Sequence, residues 1–235
     1  MNSNIDTNMK KIKTFAMLAI LALMTTACEK DNYDAPDATI HGSFIDCDTG
    51  QLVEQDIYNG TVIEYVEEGY SAIETMVVKN DGTYRNNLIF SGNYTMTPVR
   101  GNFEPVDPMQ VRISGDTQID FIVKPYLRLD DVTIFRNGDI VRASFTLTQT
   151  GFDKVKTIGL FVFPEPSVGY QMNVAKVEMA VGERFKTPQN FTINLNLPAN
   201  KSKLQPGKSY YFRVGAIVDV PQAKYNYAPA VRLTI

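Results

Sequence analysis

The chain has 235 residues, 44% of them hydrophobic, with 23 Lys and Arg against 26 Asp and Glu for a net charge of −3. A mildly acidic chain without a basic cluster is unsuited to nucleic acid, whose affinity comes largely from cations neutralising phosphates, and to electrostatic adsorption on anionic lipid. Two cysteines and one histidine give no Cys/His cluster for zinc and a poor basis for a histidine-dependent triad, so no metal or cofactor is expected.

At the N-terminus, Lys10, Lys11 and Lys13 precede an apolar run from Phe15 to Met24, and Thr25-Thr26-Ala27 lead into Cys28 and polar Glu29-Lys30-Asp31. Ten apolar residues are too few to cross about 30 Å of hydrocarbon at about 1.5 Å per residue, so residues 1–27 read as an export signal and not a membrane span. Met1–Asn8 lacks signal character, which makes Met9 a second candidate start. The stretch resembles a bacterial lipoprotein box, which implies that Cys28 is acylated and anchors the chain to a membrane. The acidic residues after Cys28 resemble the surface-export tag of Bacteroidetes lipoproteins, which implies an outer-membrane location facing the cell exterior. Removing Lys10, Lys11, Lys13 and Asp6 with the signal leaves 20 Lys and Arg against 25 Asp and Glu, a net charge of −5. With Cys28 spent on lipid, Cys47 has no partner and is expected as a small buried hydrophobe.

Residues 28–38 are charged, without hydrophobic period, and read as the acylated cysteine and a flexible tether. From Thr39 onward, short β-like runs alternate with turn residues: Ile40–Ile45, Thr61–Val66, Ile73–Val78, Asn87–Phe90, Tyr94–Thr97, Val111–Ile113 and Thr117–Val123. Asn80-Asp81-Gly82 signals a hairpin or turn. No stretch keeps a 3.6-residue period, and short punctuated strands predict a sandwich. Gly42-x-Phe44-x-Asp46-x-x-Thr49-Gly50, Asp81-Gly82-Thr83-Tyr84, Gly92-Asn93-Tyr94 and Gly101-Asn102-Phe103-Glu104-Pro105 together resemble the carboxypeptidase-regulatory-like domain. That resemblance implies a non-catalytic transthyretin-like β-sandwich over residues 39–125.

A second block, residues 126–235, carries Val132–Phe135, a tight Asn137-Gly138 turn, Ile140–Leu147, Thr157–Phe163 and Phe191–Leu197. The Pro-rich segment Phe163–Gly169 reads as a rigid loop and a candidate edge protector. The short link Lys124–Asp130, stiffened by Pro125, predicts a semi-rigid connection. Leu204-x-Pro206-Gly207-x-x-Tyr210-x-Phe212-x-Val214-x-Ala216 resembles the E–F corner of fibronectin type III domains. It implies that the Tyr210 hydroxyl bonds back to the backbone while Leu204, Phe212, Val214 and Ala216 face the core. The expected fold is therefore all-β, with two consecutive β-sandwich domains after a signal peptide and a short tether. The whole resembles an uncharacterised Bacteroidetes surface lipoprotein family encoded beside glycan importers of the starch-utilisation type. It implies glycan binding or support of a polysaccharide-uptake complex, and transfers no ligand residues.

The sequence offers little chemistry. His41 stands at a strand start, and Asp46-x-Asp48-x-Gly50 departs from a calcium loop, with Gln51 and Ile57 where Gly and Glu belong. The acid pairs Asp46/Asp48, Glu67/Glu68 and Asp130/Asp131 suit solvated turns. For sugar, the requirement is an exposed aromatic face with amides or carboxylates beside it. Tyr225, Asn226 and Tyr227, ahead of the last strand, are the first candidates, because residues two apart on an extended chain share a side. Tyr58-Asn59 with Tyr65 and Tyr70 form a second cluster. These features favour a non-catalytic glycan-binding lipoprotein over a structural or adhesive protein that contacts other proteins, with a glycosidase third.

Overall fold

The computed structural model describes residues 34–235, and the signal segment and Cys28 lie outside the described residues. Sixteen strands and a single 3-10 turn at Pro198–Asn200, with no α-helix among the described residues, build two β-sandwiches inside one compact unit, Pro36–Ile235.

In the first sandwich, one sheet is ordered β4 (Thr83–Ile89), β1 (Ala38–Asp46), then β7 (Asp116–Gln118) and β8 (Phe121–Val123), which both run parallel to β1. The facing sheet is antiparallel, ordered β3 (Glu74–Val77), β2 (Val62–Glu67), β5 (Gly92–Val99) and β6 (Met109–Ile113). Burial along β1 alternates at every residue, the period-two signature of a half-covered strand. Its Phe44 stacks on Phe103 and Phe121 with ring centroids 5.2 and 5.1 Å apart, and Ile40, Ile63, Met96 and Ile113 complete a sealed core.

The single strand expected over 117–123 is two strands. At Ile119-Asp120 the chain steps aside: the Ile119 amide donates to His41 O (2.9 Å), and the Ser43 amide donates to Asp120 Oδ1 (2.8 Å). Gly42 sits at this step, where a Cβ would come within 1.7 Å of the Ile119 carbonyl oxygen. Glycine is required here by space. Asn80-Asp81-Gly82 is a turn with Gly82 at φ +81°, but it joins β3 to β4 in opposite sheets, so it makes no hairpin.

In the second sandwich, β13 (Gln189–Asn196), β10 (Ile140–Gln149) and β9 (Leu127–Asn137) face β12 (Ala175–Glu183), β11 (Val155–Phe163) and β14 (Ser209–Val218). The short β15 (Asn226–Tyr227) and β16 (Val231–Thr234) both pair with β14. The β9–β10 hairpin turns at Gly138, φ +59°. Leu204, Phe212, Val214 and Ala216 are buried in the core, and the Tyr210 hydroxyl accepts from the Gln205 amide (3.0 Å) and reaches Lys203 O at 3.4 Å. The Pro-rich loop protects a face and not an edge: Val168 is sealed in a small cluster with Phe161, Tyr225 and Tyr227, with Tyr211 and Ile217 of β14 packed against it.

Candidate functional site

The loop expected to present a sugar shelf is instead the seam between the sandwiches. Tyr225 and Tyr227 are only 4% and 7% exposed, and Asn226 is equally covered, which corrects the expectation of an open aromatic face. The two rings do lie on one side, stacked 5.8 Å apart, and Phe161 packs edge-on against both. Gly215 of β14 makes room for them, since a Cβ there would meet the Tyr227 ring at 2.7 Å. The Asn226 amide is bonded at both ends: Oδ1 accepts from the Leu127 amide (3.2 Å) and Nδ2 donates to Asn102 O (2.8 Å). Asn102 answers by donating to Tyr225 O (2.9 Å) and Glu54 O (2.7 Å). A side chain so covered is not presented to a ligand.

Buried charges lie at the centre of this seam. Arg213 on β14 is fully covered, and its five N–H groups have five acceptors: Ala228 O (3.0 Å), Gln55 O (3.0 Å), Val168 O (3.1 Å), Asn80 O (2.9 Å) and the Glu54 carboxylate. Its guanidinium lies 4.2 Å over the Tyr227 ring. The Tyr227 hydroxyl accepts from the Tyr170 amide (2.8 Å) and donates to Asp56 Oδ2 (2.7 Å). Burial raises the Asp56 carboxyl to about 6, against the lowering effect of the Tyr227 bond and the Arg213 charge. The link is also tied down: Lys124 O accepts from the Glu104 amide (2.9 Å), and the Tyr126 amide donates to Asn102 O (3.0 Å). Arg128 closes on Asp46 (2.8 Å) and Asp48 (2.6 Å).

That ion pair accounts for the acidic turn. Asp46, Cys47 and Asp48 bring their ligand atoms together, but Arg128 already bonds to both carboxylates. Cys47 is exposed, not buried as expected, because it follows the last residue of β1 into the turn. Desolvation and the neighbouring Asp48 and Asp46 push its thiol up, away from the thiolate form. His41 meets Asp116 at 3.3 Å on the sheet surface.

Three concavities bear on ligand binding. The largest, about 420 Å³, runs along the seam past Leu52, Arg128 and Pro229, but its one aromatic, Tyr227, is covered. A second, about 260 Å³, joins Asn59 and Lys224 to Tyr170 and Tyr225. There Tyr170 has one face stacked on Tyr225 (5.1 Å) and Lys176 Nζ 4.5 Å over its ring, while Glu178 is held by the Tyr225 hydroxyl (2.8 Å) and Lys176 (2.6 Å). The third, about 350 Å³, opens where the first sandwich ends away from the seam. β2 and β3 supply Tyr65, Glu67 and Glu74, their connecting turn supplies Tyr70, and the β4–β5 connection supplies Phe90. Tyr70 is 70% exposed and Phe90 46%, over a floor of buried Tyr94 whose hydroxyl donates to Phe90 O (2.9 Å). The second predicted cluster is thereby divided: Tyr65 and Tyr70 share this pocket, while Asn59 lines the one beside the seam.

Residues 38–124 match the family described as Protein of unknown function (DUF3823) N-terminal domain, and residues 127–232 match Domain of unknown function (DUF3823_C). The chain belongs to the DUF3823 family. A crystal structure from Bacteroides uniformis ATCC 8492, provisionally described as a carbohydrate binding protein, is 34% identical and aligns over 85% of this chain and 100% of its own, with a TM-score of 0.77. DUF3823 family proteins from Bacteroides uniformis ATCC 8492 and Parabacteroides merdae ATCC 43184 are each 21% identical, with TM-scores of 0.73 and 0.72. They cover 85% and 86% of this chain and 100% of their own, and share the fold. No curated protein matches the chain.

Within this DUF3823 protein, the residues that sequence reasoning missed are Glu67, Glu74 and Phe90 as members of one pocket. Glu67-Glu68 reads as a solvated turn and Phe90 as a strand end, and only the meeting of two connections, β2–β3 and β4–β5, at one end of the sandwich unites them. An exposed tyrosine beside two acids on consecutive strands, Tyr70 between Glu67 and Glu74, was the available signal.

Proposed function

We propose that this protein is a non-catalytic, carbohydrate-binding surface lipoprotein, with its glycan held at the far end of the first sandwich. The observation that carries the reading is the pocket in which Tyr70 and Phe90 stand exposed beside the Glu67 and Glu74 carboxylates. Exposed rings take the apolar face of a pyranose, and carboxylates accept from its hydroxyls. The provisional carbohydrate-binding description of the 34% identical Bacteroides uniformis protein supports the same reading. Acylation of Cys28, an outer-membrane position facing outward and service to a neighbouring polysaccharide-uptake complex complete it, on the N-terminal sequence and the resemblance alone.

The chain from Glu29 is run over a glycan array beside a Tyr70→Ala, Phe90→Ala double variant. Retention of one glycan class, lost in the variant with the melting temperature unchanged, is the expected result. Retention that survives the variant would discard this pocket, and no retention of any glycan would leave a protein-contacting role ahead. Palmitate labelling of the full chain, absent from Cys28→Ser, tests the anchor separately.

A further inference from the structure

The glycan pocket has a one-sided electrostatic character, and this deepens the reading above, on which it rests. Every charged residue that lines it is acidic: Glu67 at the end of β2 and Glu74 at the start of β3. No Lys, Arg or His lines it, and neither carboxylate has an ion-pair partner among the described residues. Asp37 adds a third negative charge close by, accepting from the Ser91 amide (2.7 Å) at the foot of the β4–β5 connection. The phenol groups respond to this field. Burial, then the Glu67 charge, lift Tyr94 to about 12, and burial, then Glu74, raise Tyr65.

Hydrogen-bonding capacity points the same way. The Tyr94 hydroxyl already gives its proton to Phe90 O, and the Tyr65 hydroxyl accepts from Asn86 Nδ2 (3.4 Å). Ionised carboxylates can only accept. Beside the Tyr65 and exposed Tyr70 hydroxyls, which keep their own protons, the charged groups of the pocket are acceptors only, and they suit a ligand that brings donors: the hydroxyls of a neutral sugar, or the ammonium of an amino sugar. A uronate or sulfate ester would bring acceptors and a like charge to carboxylates that have no counter-ion.

From this we infer that the pocket selects by charge, taking neutral or amino-bearing glycans and rejecting uronic and sulfated ones. Like-charge contact at a partly exposed site is worth about tenfold or more in affinity at low salt, and is screened as salt rises.

The chain from Glu29, which contains the whole compact unit, is measured at about 20 mM and 500 mM salt against an array of neutral, amino, uronic and sulfated oligosaccharides. A Glu67→Gln, Glu74→Gln double variant runs alongside, since the amides keep the shape and remove the charge. The expected result is binding confined to neutral or amino glycans at low salt. In the double variant, discrimination against acidic glycans should fall about tenfold, and any preference for amino over neutral glycans should vanish. A uronic or sulfated glycan that binds as tightly as its neutral counterpart, with binding lost in Tyr70→Ala, overturns the selectivity and leaves the glycan site standing. Discrimination that the double variant leaves intact overturns it as well. Binding to no glycan of any charge overturns the carbohydrate reading and this inference with it.

Discussion

Replacing Arg213 with Met keeps an unbranched, though shorter, apolar stem and removes five buried donors. The acceptors left behind are four backbone carbonyls, of Gln55, Asn80, Val168 and Ala228, and the Glu54 carboxylate. Stranding one member of a buried ion pair costs about 3–5 kcal/mol. Orphaned carbonyls in the seam add about 1 kcal/mol each where water cannot enter, and the thioether returns about 1–2 kcal/mol through burial. A net loss of about 5–8 kcal/mol is a large share of the 5–15 kcal/mol that holds a typical protein folded. The chain has no tryptophan, so urea unfolding is followed by tyrosine fluorescence and far-ultraviolet dichroism. The wild type should unfold in one transition, and Arg213→Met in two, because the seam no longer couples the halves. Adding Glu54→Gln should recover about half the loss, since no charge is then stranded. Arg213→Lys, with three donors in place of five, should fall between. A loss below about 1 kcal/mol, or a double variant no better than the single, would refute the view that this arginine holds the seam.

Three further outcomes follow from the geometry. The Asp56 carboxyl binds its proton more tightly folded, at about 6, than at its ordinary 3.8, so ionising it costs stability as pH rises between those values. Asp56→Asn should therefore match the wild type at pH 4 and exceed it by about 2–3 kcal/mol at pH 7.5, and parallel pH profiles would contradict this. Gly42→Ala should cost about 3 kcal/mol and lower the melting temperature by about 6–12 °C, because a methyl cannot share space with the Ile119 carbonyl; a change under about 2 °C would count against it. Tyr210→Phe should cost about 1–2 kcal/mol in the same urea titration by leaving the Gln205 amide without its acceptor.

Strands that bury one face fully were legible, because their alternation is imposed by the pleat: β1, β10 and β14 show it in Ile40–Phe44, Val141–Leu147 and Tyr210–Ala216. β12 was not legible. It is a sheet-edge strand, and Lys176, Glu178 and Met179 blur its period. The opening of β4, Thr83–Asn86, is polar enough to pass for the end of the Asp81-Gly82 turn. For the seam, spacing correctly put Tyr225 and Tyr227 on one side, yet could not say what faces that side. The partners that close on Tyr227 are Asp56 and Tyr170, 171 and 57 positions away. The pocket at Tyr70 was half visible for the same reason, since Phe90 arrives from another connection.

The saturated arginine also bears on heredity. β-Sandwich modules are commonly exchanged between genes as self-contained pieces, and a cut in the Lys124–Leu127 link would look harmless on the sequence. In this chain it would expose Phe161, Val168, Tyr225 and Tyr227 on one fragment and open the Asn102 amide on the other. Recombination at that point is expected to yield two insoluble halves. The two domains should therefore descend together, and a residue change at Glu54 or Asp56, whose side chains meet Arg213 and Tyr227 across the seam, should be tolerated only where its counterpart changes as well.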